Sequence, residues 1–295
     1  MTASSPLTRC SNIGSPRNNE AAPQFGRARA SYRILSGVRK GKKMQSPLPY
    51  IGGKSKLSET IISMMPEHDA YCEVFCGAGW VFFRKEPSKY EVINDLDSDL
   101  ICLYRVLQHH LEEFMKQFKW LLVSRELWED FKRQQVAGGL TDIQRAAHYY
   151  YLQRLCFGGR VKGRAYGTAP LHQPRINLLR MEEDLSEVHL RLARVTIENL
   201  PWQDFVKRYD KGRTLFYLDP PYFKAPYYEH NLELPDYTEM AAILGHVKSR
   251  FILSINDVPE MRQAFHAFHI KPVSLKYMVA KEGQTQAKEL LITNY

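Results

Sequence analysis

Ala70-Tyr71-Cys72-Glu73-Val74-Phe75 runs directly into Cys76-Gly77-Ala78-Gly79, and Tyr90-Glu91-Val92-Ile93 then ends on Asn94-Asp95. The first run is short and apolar, as a buried strand must be. Two glycines follow where the chain has to turn tightly. Val81–Arg84 begins a helix, and Tyr90–Ile93 is a second strand. Strand, glycine turn, helix and strand make the opening half of a doubly wound α/β domain with a mainly parallel sheet. Leu100, Leu103, Tyr104 and Leu107 then recur at helical spacing.

Strand-like runs return at 195–198, 214–218 and 251–255. A helix is expected over 238–247, with Thr238 as its N-cap. The runs 273–279 and 289–293 predict a C-terminal antiparallel hairpin on the sheet edge. Between the two groups of strands the alternation stops. Residues 105–193 read as mostly helical, with Tyr149-Tyr150-Tyr151 among them, and as an inserted domain. Within it, the glycine-rich stretch 157–167 suggests a β-hairpin or looped ribbon. The α/β domain is thus expected in two parts, 44–104 and 194–295.

The 295 residues are 44% hydrophobic and 25% charged, which is ordinary globular composition. No apolar run approaches the roughly 18 residues a bilayer requires, and no secretory signal opens the chain. The five cysteines, Cys10, Cys72, Cys76, Cys102 and Cys156, form no Cys-x-x-Cys pair. Neither a disulfide framework nor a zinc site is indicated, and a reducing cytoplasm fits. Residues 1–43 carry nine basic side chains and one acid, so they hold +8 of the net charge of +9. Rich in Ser, Arg, Gly, Pro and Asn, they are expected as a disordered basic arm. A transit peptide, or a start upstream of Met44, is an alternative.

Asp219-Pro220-Pro221-Tyr222 follows the apolar run Leu215-Phe216-Tyr217-Leu218. Ligands of open α/β sheets sit at the carboxyl ends of strands, where this tetrapeptide falls. The bland reading is a proline-rich turn with Asp219 as a cap. The sharper one concerns an aromatic amine, whose lone pair is delocalised and weakly nucleophilic. Two acceptors aimed at its hydrogens would localise that pair. The Asp219 carboxylate can be one and the Pro220 carbonyl the other, and Pro221 adds no competing donor. The Tyr222 ring can stack on an extruded base.

Asp95 stands eighteen residues after Gly77, close to the spacing at which an acid meets ribose hydroxyls. A nicotinamide cofactor is disfavoured, because Phe82 occupies the place of the third glycine. Tyr50-Ile51-Gly52-Gly53-Lys54-Ser55 is not a triphosphate loop, because Leu48 stands where the first glycine belongs. Lys54 on this loop could instead meet a carboxylate or a DNA phosphate. Asp204-Phe205 could offer an acceptor to an adenine amine. From Arg154 to Arg180 there are six basic residues and no acid. Arg160, Lys162 and Arg164, with Tyr166, form a ribbon able to track phosphates and read guanine edges. His109, His110, His189, His266 and His269 lack a third ligand, so no metal is expected.

Taken in order, Tyr50 to Lys54, Glu73 to Gly79, Asn94-Asp95, Asp204-Phe205 and Asp219 to Tyr222 resemble the Dam-like DNA adenine methyltransferases, the prophage-type members most. The resemblance covers about residues 47–295. It implies a class I S-adenosylmethionine-dependent methyltransferase fold, with 105–193 as the target-recognition insertion and double-stranded DNA as the partner. It implies that Glu73, Phe75, Gly77 and Gly79 contact S-adenosylmethionine, that Asp95 holds its ribose and that Asp204 and Phe205 hold its adenine. Tyr50 and Lys54 would lie near its methionine end, and Asp219, Pro220, Pro221 and Tyr222 would hold the target base. Many relatives carry Phe-Asn-Gly where this chain has Phe157-Gly158-Gly159, so a recognition sequence different from GATC, or a relaxed one, is expected. Cytosine 5-methylation is excluded for want of a Pro-Cys nucleophile. Cytosine 4-amino and ribosomal RNA adenine methylation stay open, as does a catalytically idle DNA-binding or cofactor-sensing protein.

Overall fold

The computed structural model describes residues 44–50, 54–167, 176–225, 230–278 and 284–295. Gly52, Gly53 and the basic arm 1–43 lie outside the described residues. Seven strands form one sheet, in the order β3-β2-β1-β4-β5-β7-β6. They are β1 (Ala70–Glu73), β2 (Tyr90–Asn94), β3 (Thr196–Glu198), β4 (Thr214–Leu218), β5 (Arg250–Asn256), β6 (His269–Met278) and β7 (Gln284–Thr293). The first five pair in parallel, and β7 runs antiparallel to β5 and β6. The order reverses between β1 and β4, which creates a switch point with an open crevice above the strand ends.

Successive residues of the central strands feed opposite faces of the sheet, as a period of two demands. Tyr71, Leu215, Tyr217 and Ile252 join one buried cluster, while Cys72, Phe216, Leu218, Phe251 and Leu253 join the other. Burying a large apolar side chain contributes roughly 1.5–3 kcal/mol, so a strand buried on both faces, as β4 is along its whole length, is pinned in register. The first face is covered by α1 (Ser58–Ser63), α2 (Trp80–Arg84) and α3 (Ser98–His109), followed by α4 (Leu111–Lys116), α5 (Arg125–Ala137), α6 (Asp142–Arg154) and α7 (Leu178–Leu192). Phe114, Trp128, Tyr149, Tyr151 and Leu185 of these helices belong to the same cluster as the strand residues. The second face is covered by α8 (Trp202–Tyr209), α9 (Leu234–Leu244) and α10 (Pro259–Ala264).

Two local expectations are corrected. The stretch 157–167 is not a two-stranded hairpin. Phe157–Gly159 forms a 3-10 turn, and a single antiparallel bridge, Cys156 to Tyr166, closes the loop. Gly158, Gly159 and Gly163 all adopt positive φ, which interrupts any extended run. Thr238 is not an N-cap. Helix α9 starts earlier, where Glu233 and Asp236 form a reciprocal capping box next to Pro235. The Thr238 hydroxyl bonds back to the Leu234 carbonyl from inside the helix.

Candidate active site

A cavity of about 270 Å³ opens at the carboxyl ends of β1, β2 and β4. Tyr50, Lys54, Glu73, Phe75, Gly77, Gly79, Asp95, Asp219 and Pro221 all line it, so the fold gathers motifs scattered over 170 positions into one wall. Gly77 has φ +48°, and its N–H donates to Asp95 Oδ2 at 2.8 Å. A Cβ on Gly77 would lie 3.2 Å from the Tyr50 ring. Asp95 Oδ1 accepts from the Asp97 N–H at 3.0 Å. Burial, reinforced by the nearby Asp97 charge, raises the Asp95 carboxyl to about 6, against the pull of these two N–H donors. Asn94 fastens the crevice floor. Its amide donates to the Val74 and Leu200 carbonyls, and its oxygen accepts from Leu200 N–H.

Glu73 is 2% exposed and accepts from the Tyr71 hydroxyl at 2.6 Å. Burial pushes its carboxyl up to about 8, so it is largely uncharged at neutral pH and ionises if a cation comes beside it. The donor set suits S-adenosylmethionine: an acceptor at a strand end for ribose hydroxyls, a glycine turn that admits close approach, and a latent carboxylate for a positive centre.

Asp219 sits at the end of β4 with Lys54 Nζ 2.6 Å from Oδ1. The Ser254 hydroxyl donates to the same oxygen at 3.1 Å. Burial raises the Asp219 carboxyl, while the Lys54 ammonium and Ser254 act to keep it charged. Lys54 is 4% exposed, lies 4.6 Å from the Tyr222 ring centre and 3.9 Å from Glu289 Oε2. The loop itself is held from two sides. Tyr237 of α9 donates to the Pro221 carbonyl, and the Asn256 side chain both accepts from Phe223 N–H and donates to Phe223 O, each at 3.1 Å. Side chains on α9 and β5 therefore fix Asp219–Tyr222 before any substrate arrives.

Other expected residues are not themselves part of the cavity lining. Pro220 is buried and Tyr222 half-buried beside the apolar cluster. Asp204 is exposed on the first turn of α8, and Phe205 is fully buried beneath it, while their neighbours Trp202 and Gln203 line the cavity. Arg160 and Lys162 are exposed, but Val161 between them turns inward to line the cavity. Arg164 bonds Gln153 and lies 4.7 Å over the Tyr149 ring. Tyr166 packs edge-on against Trp128, with the Arg125 guanidinium 4.8 Å from its ring centre. Ser254, Glu289 and Gln153 were invisible as site residues in the sequence, because none stands in a local motif, and Tyr217 and Val161 stood in quoted runs without a role. Only the sheet order brings β5 and β7 beside Asp219.

Among the described residues no group of His, Cys, Asp and Glu converges as a metal site would. Among the same residues, no helix is long and apolar enough to cross a membrane. Residues 50–279 match the family described as D12 class N6 adenine-specific DNA methyltransferase. The type II methyltransferase M1.LlaDCHI of Lactococcus lactis subsp. cremoris is 26% identical over 273 residues, covering 83% of this chain and 94% of that protein. The DNA adenine methylase of Escherichia coli K12 is 24% identical over 270 residues, covering 84% and 93%. The type II methyltransferase M.MjaIII of Methanocaldococcus jannaschii is 22% identical over 284 residues, covering 84% and 98%. With the match extending over most of its length, the chain belongs to the D12 class of N6 adenine-specific DNA methyltransferases.

Proposed function

We propose that this protein methylates the 6-amino group of an adenine extruded from double-stranded DNA, and that its residues divide between a cofactor half and a base half of one cavity. S-adenosylmethionine supplies a sulfonium methyl group open to direct displacement. Tyr50, Glu73, Phe75, Gly77, Gly79 and Asp95 hold the cofactor, with Asp95 on the ribose hydroxyls and Glu73 near the positive end. Asp204 and Phe205, at the start of α8, complete the adenine end from beside Trp202 and Gln203.

The observation that carries the reading is the Asp219 carboxyl, anchored through Oδ1 by Lys54 and Ser254. That anchoring leaves Oδ2 to accept one hydrogen of the target amine, while the Pro220 carbonyl accepts the other. The nitrogen lone pair is localised and aimed; as the N–C bond formed, the methyl C–S bond would break, the thioether S-adenosylhomocysteine would leave, and the proton shed by the amine would pass to Asp219 Oδ2. Such prepositioned acceptors act on charge that develops in the transition state. Holding both reactants in line supplies effective molarities of about 10⁵ M or more. Extruding the base costs a few kcal/mol, and stacking on Tyr222, worth about 1–3 kcal/mol, offsets part of it.

Residues 105–193 form the target-recognition insertion, in which Arg160, Lys162, Arg164 and Tyr166 face DNA. The enzyme works in the cytoplasm. Asp219→Ala is expected to abolish methyl transfer while S-adenosylmethionine and DNA still bind. A variant that keeps more than about a tenth of the normal rate would refute the assigned role.

A further inference from the structure

Gln153, in the last turn of α6, is completely buried, and its amide makes three hydrogen bonds to two other pieces of chain. Nε2 donates to the Pro49 carbonyl and to the Gly159 carbonyl, both at 2.9 Å, and Oε1 accepts from Arg164 Nε at 3.1 Å. Both amide hydrogens are therefore used. Pro49 leads into Tyr50, whose ring covers Gly77 on the cavity wall. Gly159 and Arg164 belong to the basic ribbon, whose Val161 is also part of that wall. Ribbon and loop are in direct contact, since a Cβ on Gly159 would come within 3.0 Å of the Tyr50 nitrogen. A second line of contacts runs from Arg164 over the Tyr149 ring to Asp97 Oδ2, which the Tyr149 hydroxyl meets at 3.0 Å, and Asp97 neighbours Asp95.

We propose that Gln153 is a positioning residue that couples DNA contact to cofactor binding, by locking the basic ribbon and the Tyr50 loop into one piece. The proposal rests on the reading of the ribbon as a DNA contact. Phosphates held by Arg160 and Lys162 fix the ribbon, Gln153 carries that order to Pro49 and Tyr50, and the cavity grips the cofactor more tightly. By linkage, the cofactor tightens DNA binding by the same factor. Buried hydrogen bonds are suited to this role, because a shift of either partner leaves an unsatisfied amide in a dry interior.

The test is equilibrium binding of S-adenosylhomocysteine, which cannot react, with and without saturating sheared unmodified genomic DNA. The native protein is expected to bind it about tenfold more tightly when DNA is present, within the usual range of coupling between sites. Gln153→Met removes all three hydrogen bonds at similar volume, and Arg164→Lys keeps the charge but loses the bond from Nε. Both variants are expected to bring the ratio below about twofold, and Gln153→Met is expected to keep DNA-free cofactor affinity within about threefold of native. A merely structural role would lower thermal stability and leave the ratio intact, so the unfolding midpoint is recorded alongside. Arg164→Lys keeps the test decisive if Gln153→Met fails to fold. An undiminished ratio in the folded variants, or no DNA effect in the native protein, overturns the proposal. If the paired Arg160→Ala and Lys162→Ala substitutions leave DNA affinity unchanged, the DNA reading of the ribbon fails first and the coupling falls with it.

Discussion

Lys54 and Asp219 are far apart in the chain, yet their ion pair governs the chemistry proposed for the base pocket. Burial pushes the Asp219 carboxyl toward its neutral form, and the Lys54 ammonium opposes that push. Only the carboxylate can accept from both an anchoring cation and a substrate amine. Lys54→Met leaves burial opposed by Ser254 alone, so Asp219 then holds its proton to a higher pH. The acid limb of the methylation rate profile is expected to move to higher pH. An unmoved limb, measured in single-turnover rates from pH 5 to 9, would show that Lys54 does not govern the carboxyl. The residue types of this pair were legible in the sequence, because a Gly-rich loop with a lysine and Asp-Pro-Pro-Tyr are local patterns. Their partnership was not, and neither were Ser254 and Glu289, which reach the pair only through the neighbouring places of β4, β5 and β7.

At the scale of elements, the turn after β1 is the hinge of the cofactor half. Gly77 combines a left-handed φ with a ring packed where a side chain would start. Gly77→Ala therefore carries a backbone penalty of roughly 1–2 kcal/mol and displaces Tyr50. S-adenosylmethionine affinity, measured by calorimetry, is expected to fall at least about tenfold while the protein stays folded; native affinity would remove the turn from the binding account. Strand positions and the turn were readable because parallel strands buried on both faces are continuous apolar runs, as Leu215–Leu218 shows. The ribbon stayed open between two readings because closely spaced glycines fit a hairpin and an irregular loop equally well, and the loop is what forms. Helix α9 misled because a Glu233–Asp236 capping box is rarer than a threonine cap.

For the whole molecule, charge and fold do different work. The sheet places its cavity at the reversal between β1 and β4, which the order of motifs along the chain already implied. Most of the net charge sits in residues 1–43, outside the described residues, and +8 of +9 leaves with them. Removing that arm is expected to keep methylation and to flatten the salt dependence of non-specific DNA binding, since fewer counterions are released. An unchanged slope of log affinity against log salt would make the arm irrelevant to DNA. The atom that receives the methyl group defines the reaction. Unmodified DNA incubated with the purified protein and S-adenosylmethionine, then digested and analysed as nucleosides by mass spectrometry, reports this directly. Accumulation of 6-methyladenine in the native reaction, and none with Asp219→Ala, is the predicted result. Methyl groups found only on the cytosine 4-amino group, or absent despite tight cofactor binding, would contradict it.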